Sequence, residues 1–287
     1  MYGYQHDQPR RIESAHLENC NWNHNMGRGV PSVFFYFLVF LAEILLFGVL
    51  ILSLVWVQFY QDGFGWRENV KKEFNLHPVL MITGFIFLMG HAMLVYRLFG
   101  CCNKLGAKLL HTILYLMAVP CIVVATIAVF DSHDLRNPPI PNLYSLHSWM
   151  GVVTIGLFAL QLFVGFFSFW LLLLCEQGTS SFRASLVPIH SSFGLITFML
   201  AVATCVTGLT EKALFSLKNP HYSTLPDEAY YYNAMAMALT ALAIIMGYVL
   251  HNPKYPPPSP VAFVEGPSSN SHYVMTQHGY VYREKNI

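Results

Sequence analysis

The feature that most limits what this chain can fold into is a series of long apolar runs. Crossing a hydrocarbon core of about 30 Å takes roughly 20 apolar residues in a helix. Six stretches qualify, near 33–58, 78–99, 109–130, 147–174, 187–210 and 231–251. Each is continuously apolar, which selects helices over barrel strands that would alternate across about 10 residues. The expected fold class is therefore an all-α integral membrane protein with six transmembrane helices. Composition agrees, with 55% hydrophobic and only 11% charged residues, where soluble domains carry about 25% charge. Sixteen basic against fifteen acidic residues leave no basic stripe for a phosphate backbone, so nucleic acid is excluded and membrane lipid is the required surrounding.

The first run starts too late and is too long for a cleavable signal peptide, and no internal repeat is evident. The chain divides into a polar tail (1–32), a six-helix domain (33–251) and a tail (252–287) whose Pro256, Pro257, Pro258 and Pro260 favour disorder. An even number of spans puts both termini on one side, here called the terminal side. The loops 59–76, 131–146 and 211–230 then lie on the far side. Lys and Arg near the span ends are evenly divided between the two sides, so they set no orientation. Cys20, Cys101, Cys102 and Cys175 all fall on the terminal side, which favours a cytoplasmic location for it. The Cys101–Cys102 doublet also suits palmitoylation.

Histidine carries the functional signal, because ionisable side chains inside spans are costly and by default mark a site. His77 opens the second span, His111 lies near the start of the third, His147 opens the fourth and His190 lies near the start of the fifth. Successive helices run in opposite directions, so His77 and His147 share the far side while His111 and His190 share the terminal side. Two imidazoles from facing helices of a bundle are suited to hold a planar metallocofactor between them. Haem fits two ligands per layer, whereas zinc wants three or four in a tetrahedron. Layers near opposite ends of spans would lie roughly 20 Å apart, an arrangement suited to moving electrons across the bilayer.

These residues sit in recognisable surroundings. Phe74-Asn75-Leu76-His77-Pro78-Val79, Leu94-Val95-Tyr96-Arg97, Lys108-Leu109-Leu110-His111, Asn142-Leu143-Tyr144-Ser145-Leu146-His147-Ser148-Trp149, Pro188-Ile189-His190 and Gly208-Leu209-Thr210-Glu211-Lys212 together resemble the cytochrome b561 family of ascorbate-dependent transmembrane cytochromes. The likeness covers roughly 35–255 and is strongest to the duodenal, ferric-reducing members. It implies two b-type haems, one held by His77 with His147 and the other by His111 with His190. It also implies a cytoplasmic terminal side and a plasma-membrane or vesicle location. By the same resemblance Lys104, Lys108 and Arg183 hold ascorbate, and Arg97 and Lys254 contact the nearby haem. Asn142, Leu143, Tyr144, Ser145 and Glu211 surround the far-side haem, and His133 receives ferric iron. A homodimer is the family's usual state.

The residue chemistry is consistent with those roles: a Lys and Arg cluster attracts an anion such as ascorbate, and imidazole beside Asp131 and Asp134 suits ferric iron. His91, fourteen residues after His77, would lie on nearly the same face of a regular helix and is expected either to support the terminal-side haem from behind its ligands or to make an interhelical hydrogen bond, rather than to ligate. Thr112 and Tyr115 after His111 stand where the family pattern has smaller or amide side chains, and Glu43 is a costly charge in the first span for which snorkelling, pairing and protonation are all open. The expected function is electron transfer from cytoplasmic ascorbate to ferric iron outside or in a vesicle lumen. One alternative is regeneration of ascorbate from lumenal monodehydroascorbate. Another is a histidine-lined metal transporter, for which spans broken by Gly or Pro at mid-membrane are expected.

Overall fold

The computed structural model describes residues 33–99, 104–171 and 176–251, and in the tail 262–265, 272–275 and 281–283. Six helices are long and apolar enough to cross a membrane, as expected. The first is α1 (Val33–Tyr60). The second is built from α2 (Val70–Phe74), α3 (Leu76–Met81), a π-helical stretch (Ile82–Leu88) and α4 (Met89–Leu98). Then follow α5 (Lys104–Asp134), α6 (Leu146–Phe169), α7 (Glu176–Ser216) and α8 (Asp227–His251). Three short strands, β1 (Ala262–Glu265), β2 (His272–Met275) and β3 (Val281–Arg283), pair antiparallel in that order in the proline-rich tail.

Several helices run past the apolar runs that reveal them. α5 reaches Asp134, which puts His133 in its last turn and not in a loop. α7 begins at Glu176 and continues through Pro188, so the polar stretch from Glu176 up to the apolar run at 187–210 is helical. The second span starts at Val70, where the Asn69 side chain caps the backbone N–H of Lys72. Asn75, buried between α2 and α3, donates from Nδ2 to the carbonyls of Gln61 and Gly63 at 2.9 and 2.7 Å and ties the preceding loop to the span. A capping box opens α6, with Ser145 and Ser148 each satisfying the other's backbone N–H. Pro138, Pro139 and Pro141 lie between α5 and this cap, where none can extend a helix.

The π stretch in the second span removes His91 from the His77 face, while the interhelical hydrogen bond of His91 is as expected. Each π turn takes in an extra residue, so side chains beyond it rotate off the face that a regular α-helix would give them. His91 therefore does not stay on the His77 face. Its Nε2 lies 2.8 Å from Glu43 Oε2 on α1, and its Nδ1 donates to the Phe87 carbonyl at 2.6 Å. Phe47 and Phe87 flank the ring. Glu43 is thus compensated by an interhelical partner. Gly84, inside the π stretch, lets the backbone approach α5, since a Cβ there would meet the Ala118 carbonyl at 3.3 Å.

The second span packs on α5, α6 on α7, and α1 on α8, with α7 also touching α8. The core is lined by Leu46, Trp56, Ile86, Met89, Phe198 and Leu242, all essentially buried. Outward faces carry large apolar side chains, such as Trp149 at 68% and Phe163 and Ile244 at 70% exposure. In water such surface would drive association; against lipid it is the expected covering.

Candidate functional site: paired histidines and the cavity between helix pairs

Two antiparallel helix pairs, the second span with α5 and α6 with α7, face each other, and the four intramembrane histidines meet between them. The rings of His77 and His147 have centres 6.1 Å apart and those of His111 and His190 6.3 Å. The pairs are the two deduced from helix direction alone.

Each ring but one is held by a carbonyl of its packing partner. His77 Nδ1 donates to Ala125 O at 3.1 Å, His111 Nδ1 to Ala92 O at 2.9 Å and His147 Nδ1 to Thr204 O at 2.9 Å. Because a carbonyl only accepts, Nδ1 bears the proton in these three, and Nε2 keeps its lone pair for a metal. His190 Nδ1 is buried without a hydrogen-bond partner.

The anchors also fix the spacing of the layers. Fourteen residues separate His111 from Ala125, fourteen separate His190 from Thr204 and fifteen separate His77 from Ala92. At 1.5 Å per residue the two fourteen-residue α-helical intervals are about 21 Å. Every one of these three helices contributes a histidine to one layer and a carbonyl to the other. This exchange has no sequence repeat behind it, since one partner is backbone.

Glycine makes room for two rings. A Cβ on Gly208 would lie 2.6 Å from His147 Cε1, and one on Gly165 would lie 3.0 Å from His190 Cε1. The Thr204 carbonyl also accepts from Thr207 Oγ1 at 2.9 Å, and Thr154 Oγ1 lies 3.2 Å from Thr204 Oγ1. Tyr96 and Tyr115 flank His111 with ring centres 5.1 and 4.8 Å away. Tyr115 also stacks on Phe158, so the bulk that departs from the family pattern packs against α6 on the inner side of the layer.

A cavity of about 710 Å³ opens around the far-side pair and is lined by His77, His147, His133, Asn142, Leu143, Tyr144, Ser145 and Glu211 among others. It is within the ~300–1,000 Å³ typical of cofactor pockets. Thus the five residues that the resemblance sets around the far-side haem, and His133, border one space. His133 Nδ1 lies 2.9 Å from Asn142 Oδ1, and Asn142 Nδ2 donates to Asp134 at 2.8 Å. Asp131 turns away into an ion pair with Arg67 at 2.8 Å, which holds the Arg67 guanidinium above its ordinary pKa by hydrogen bonding and charge.

On the terminal side, Lys108 Nζ stands 4.9 Å above the Trp170 ring, whose Nε1 donates to Thr112 Oγ1 at 2.9 Å. Arg183 is near enough to repel Lys108. Arg97 Nη2 donates to the Leu250 carbonyl, joining α4 to the end of α8. Lys104 starts α5; its side chain, and Lys254, lie outside the described residues, as do Cys20, Cys101, Cys102 and Cys175.

Sequence reading missed the contribution of the outer helices. Glu228, in the first turn of α8, accepts through Oε1 from Trp56 Nε1, Gln61 Nε2 and Tyr232 at 2.9, 2.6 and 2.9 Å. Trp56, Gln61, Glu228 and Lys212 all border the far-side cavity. The available signal was acidic residues heading an apolar helix, which usually marks only a favourable N-terminus.

Facing helix pairs, two layers of paired imidazoles and lipid-facing aromatic surfaces define a helical membrane protein of the cytochrome type. Comparison with known proteins specifies it further: the chain belongs to the eukaryotic cytochrome b561 family, whose description matches residues 76–216. It is 42% identical over 226 residues to the plasma membrane ascorbate-dependent reductase CYBRD1 of Xenopus tropicalis, covering 77% of each chain. It is 39% identical over 217 residues to the human lysosomal membrane ascorbate-dependent ferrireductase CYB561A3, covering 74% of this chain and 86% of that one. The Danio rerio ferrireductase of the same name is 38% identical over 241 residues, 81% and 94% of the two chains. Membership in this family implies b-type haem and oxidoreductase activity.

Proposed function

We propose that the chain carries electrons from ascorbate on the terminal, cytoplasmic side through two b-type haems to ferric iron on the far side. His77 with His147 would hold one haem, and His111 with His190 the other. The observation that carries this reading is the ring spacing. A histidine nitrogen lies about 2 Å from a bound metal and about 1.1 Å from its own ring centre, so two rings sharing one metal atom in line have centres about 6.2 Å apart. The two pairs, at 6.1 and 6.3 Å, fit that figure, and three of the four rings have Nδ1 already committed as donor.

Bound in these layers, haem supplies reversible one-electron chemistry at its iron, with potential set by ligands, burial and hydrogen bonds. The chain's own residues do the rest. Lys108 and Arg183, held together despite like charge, attract an anionic donor and orient it. Ascorbate gives up one electron and one proton as it becomes monodehydroascorbate. Apolar side chains around the layers exclude water, and the far-side cavity opens where an acceptor can arrive beside His133. Relatives named as ascorbate-dependent reductases and ferrireductases support ascorbate as donor and iron as acceptor.

The test uses purified full-length protein in vesicles. Pyridine haemochrome analysis should give two haems per chain, and ascorbate on one side should reduce a ferric chelate confined to the other. One haem or none in folded protein, or no transfer, refutes the reading. For the acceptor, His133→Ala should keep the haem spectrum and the ascorbate reduction rate while slowing reoxidation by the chelate; reoxidation at the wild-type rate would favour monodehydroascorbate as acceptor.

A further inference from the structure

Four cations, Lys71, Lys72, Arg136 and Lys212, border the far-side cavity against three carboxylates, Asp62, Glu211 and Glu228, and Lys212 is the one set beside apolar rings. Lys212, at the far-side end of α7, places Nζ 4.7 Å from the Phe74 ring centre and 6.0 Å from that of Trp56. Arg136 and Lys71 lie close enough to repel it, and all three border the cavity that contains His77 and His147. Glu228 is the nearest acidic influence on Lys212. Its Oε1, however, is already taken by Trp56, Gln61 and Tyr232, and among the described residues no carboxylate lies within ion-pair distance of Lys212. Glu211, the neighbouring acid, instead acts on Tyr144. Gathering like charges beside apolar rings is unfavourable unless an anion joins them.

We infer that Lys212, with Arg136 and Lys71, receives the two propionate carboxylates of the far-side haem. The inference rests on the proposed haem at His77 and His147. Deeper in the cavity the walls include Met81, Ile82, Phe85, Ile155 and Ala201, where a carboxylate would lose its hydration without a partner. The mouth is the end that can accept charge, so a haem slotted between the histidines must turn its carboxylates toward these cations. Lys212 then fixes the rotation of the cofactor in its plane, a choice that the two axial bonds leave open. It also favours the reduced state, because the added electron is drawn to nearby positive charge.

Redox potentiometry on full-length protein tests this, with the other haem as internal reference. Lys212→Met should shift the far-side haem to lower potential and speed its loss on dialysis severalfold, leaving the terminal-side haem unchanged. Arg136→Gln should shift it the same way, Lys212→Arg should restore it, and Lys218→Met, on the exposed far-side loop, should match wild type. Unchanged potentials and haem retention in both Lys212→Met and Arg136→Gln overturn the inference. So does a result in which only the KM for anionic ferric citrate rises, with that for hexaammineruthenium(III) constant, since the cations would then serve an arriving acceptor. A wild-type protein without a far-side haem would instead refute the proposed function.

Discussion

At the scale of single residues, the histidine layers depend on atoms that are missing as much as on those present. Gly208 leaves space for the His147 ring, and a methyl group there would approach three ring atoms at 2.6, 2.9 and 3.1 Å. Alanine is the better helix former by about 1 kcal/mol, yet Gly208→Ala is expected to push His147 off the Thr204 carbonyl. The far-side haem should be lost or turned high-spin, as read from the visible spectrum. Gly165→Ala, whose nearest approach to His190 is 3.0 Å, should perturb the other haem less. Gly156 has nothing within 4 Å of its virtual Cβ, so Gly156→Ala should leave both spectra intact and raise Tm slightly. The histidines themselves were legible because ionisable groups in spans are few and costly. The glycines were not, since a small residue in a membrane helix has many ordinary reasons to be there.

At the scale of elements, the π stretch of the second span decides where His91 points, and with it how α1 is fastened to the redox bundle. The side chains of His91 and Glu43 are 23% and 29% exposed, so the pair is shielded from water without being sealed. Breaking one partner of a fully buried pair costs about 3–5 kcal/mol; with this exposure His91→Leu or Glu43→Leu should each cost about 1–3 kcal/mol. The double replacement should recover much of that loss. Thermal unfolding of all four proteins in one detergent checks it, and additive losses would show that the two side chains do not interact. Helical periodicity places His91 correctly relative to His77 only if every turn is regular. Hydrogen-bond slippage within one apolar run leaves no compositional mark, which is why only the folded chain reveals it. The donor side shows a similar dependence on neighbours: Trp170 sits between Lys108 and Thr112, so Trp170→Leu should raise the KM for ascorbate a few-fold and leave reduction by an uncharged reductant unchanged.

At the scale of the whole molecule, the exchange of histidines and carbonyls between layers makes the second span, α5 and α7 each serve both faces of the membrane. With the layers about 21 Å apart along the helices, neither alone spans the bilayer. His111→Leu is therefore expected to abolish transfer from terminal-side ascorbate while the far-side haem remains bound and reducible by dithionite. Transfer persisting at the wild-type rate would show that electrons bypass the terminal-side layer. Reduction of the wild type by ascorbate should also slow as ionic strength rises, because the Lys108–Arg183 field acts on an anion through water; stopped-flow traces at increasing salt would measure this. α5 continues through Pro120 and α7 through Pro188, so neither proline breaks its helix in the way a transporter's discontinuous spans are broken.

By itself the sequence determined the class of fold and the pairing of His77 with His147 and His111 with His190. The physical reason is that a bilayer fixes span length and forces helices, and antiparallel succession then assigns each residue to a side. The tertiary structure decided what a one-dimensional pattern cannot carry. Backbone carbonyls from Ala92, Ala125 and Thr204 select the ring tautomers, but every residue has a carbonyl, so none stands out in sequence. The π turn directs His91 to Glu43, and the outer helices bring Trp56, Gln61 and Glu228 to a cavity that the central four had seemed to own. Those contacts join positions as much as 172 residues apart, and only packing selects which distant groups meet.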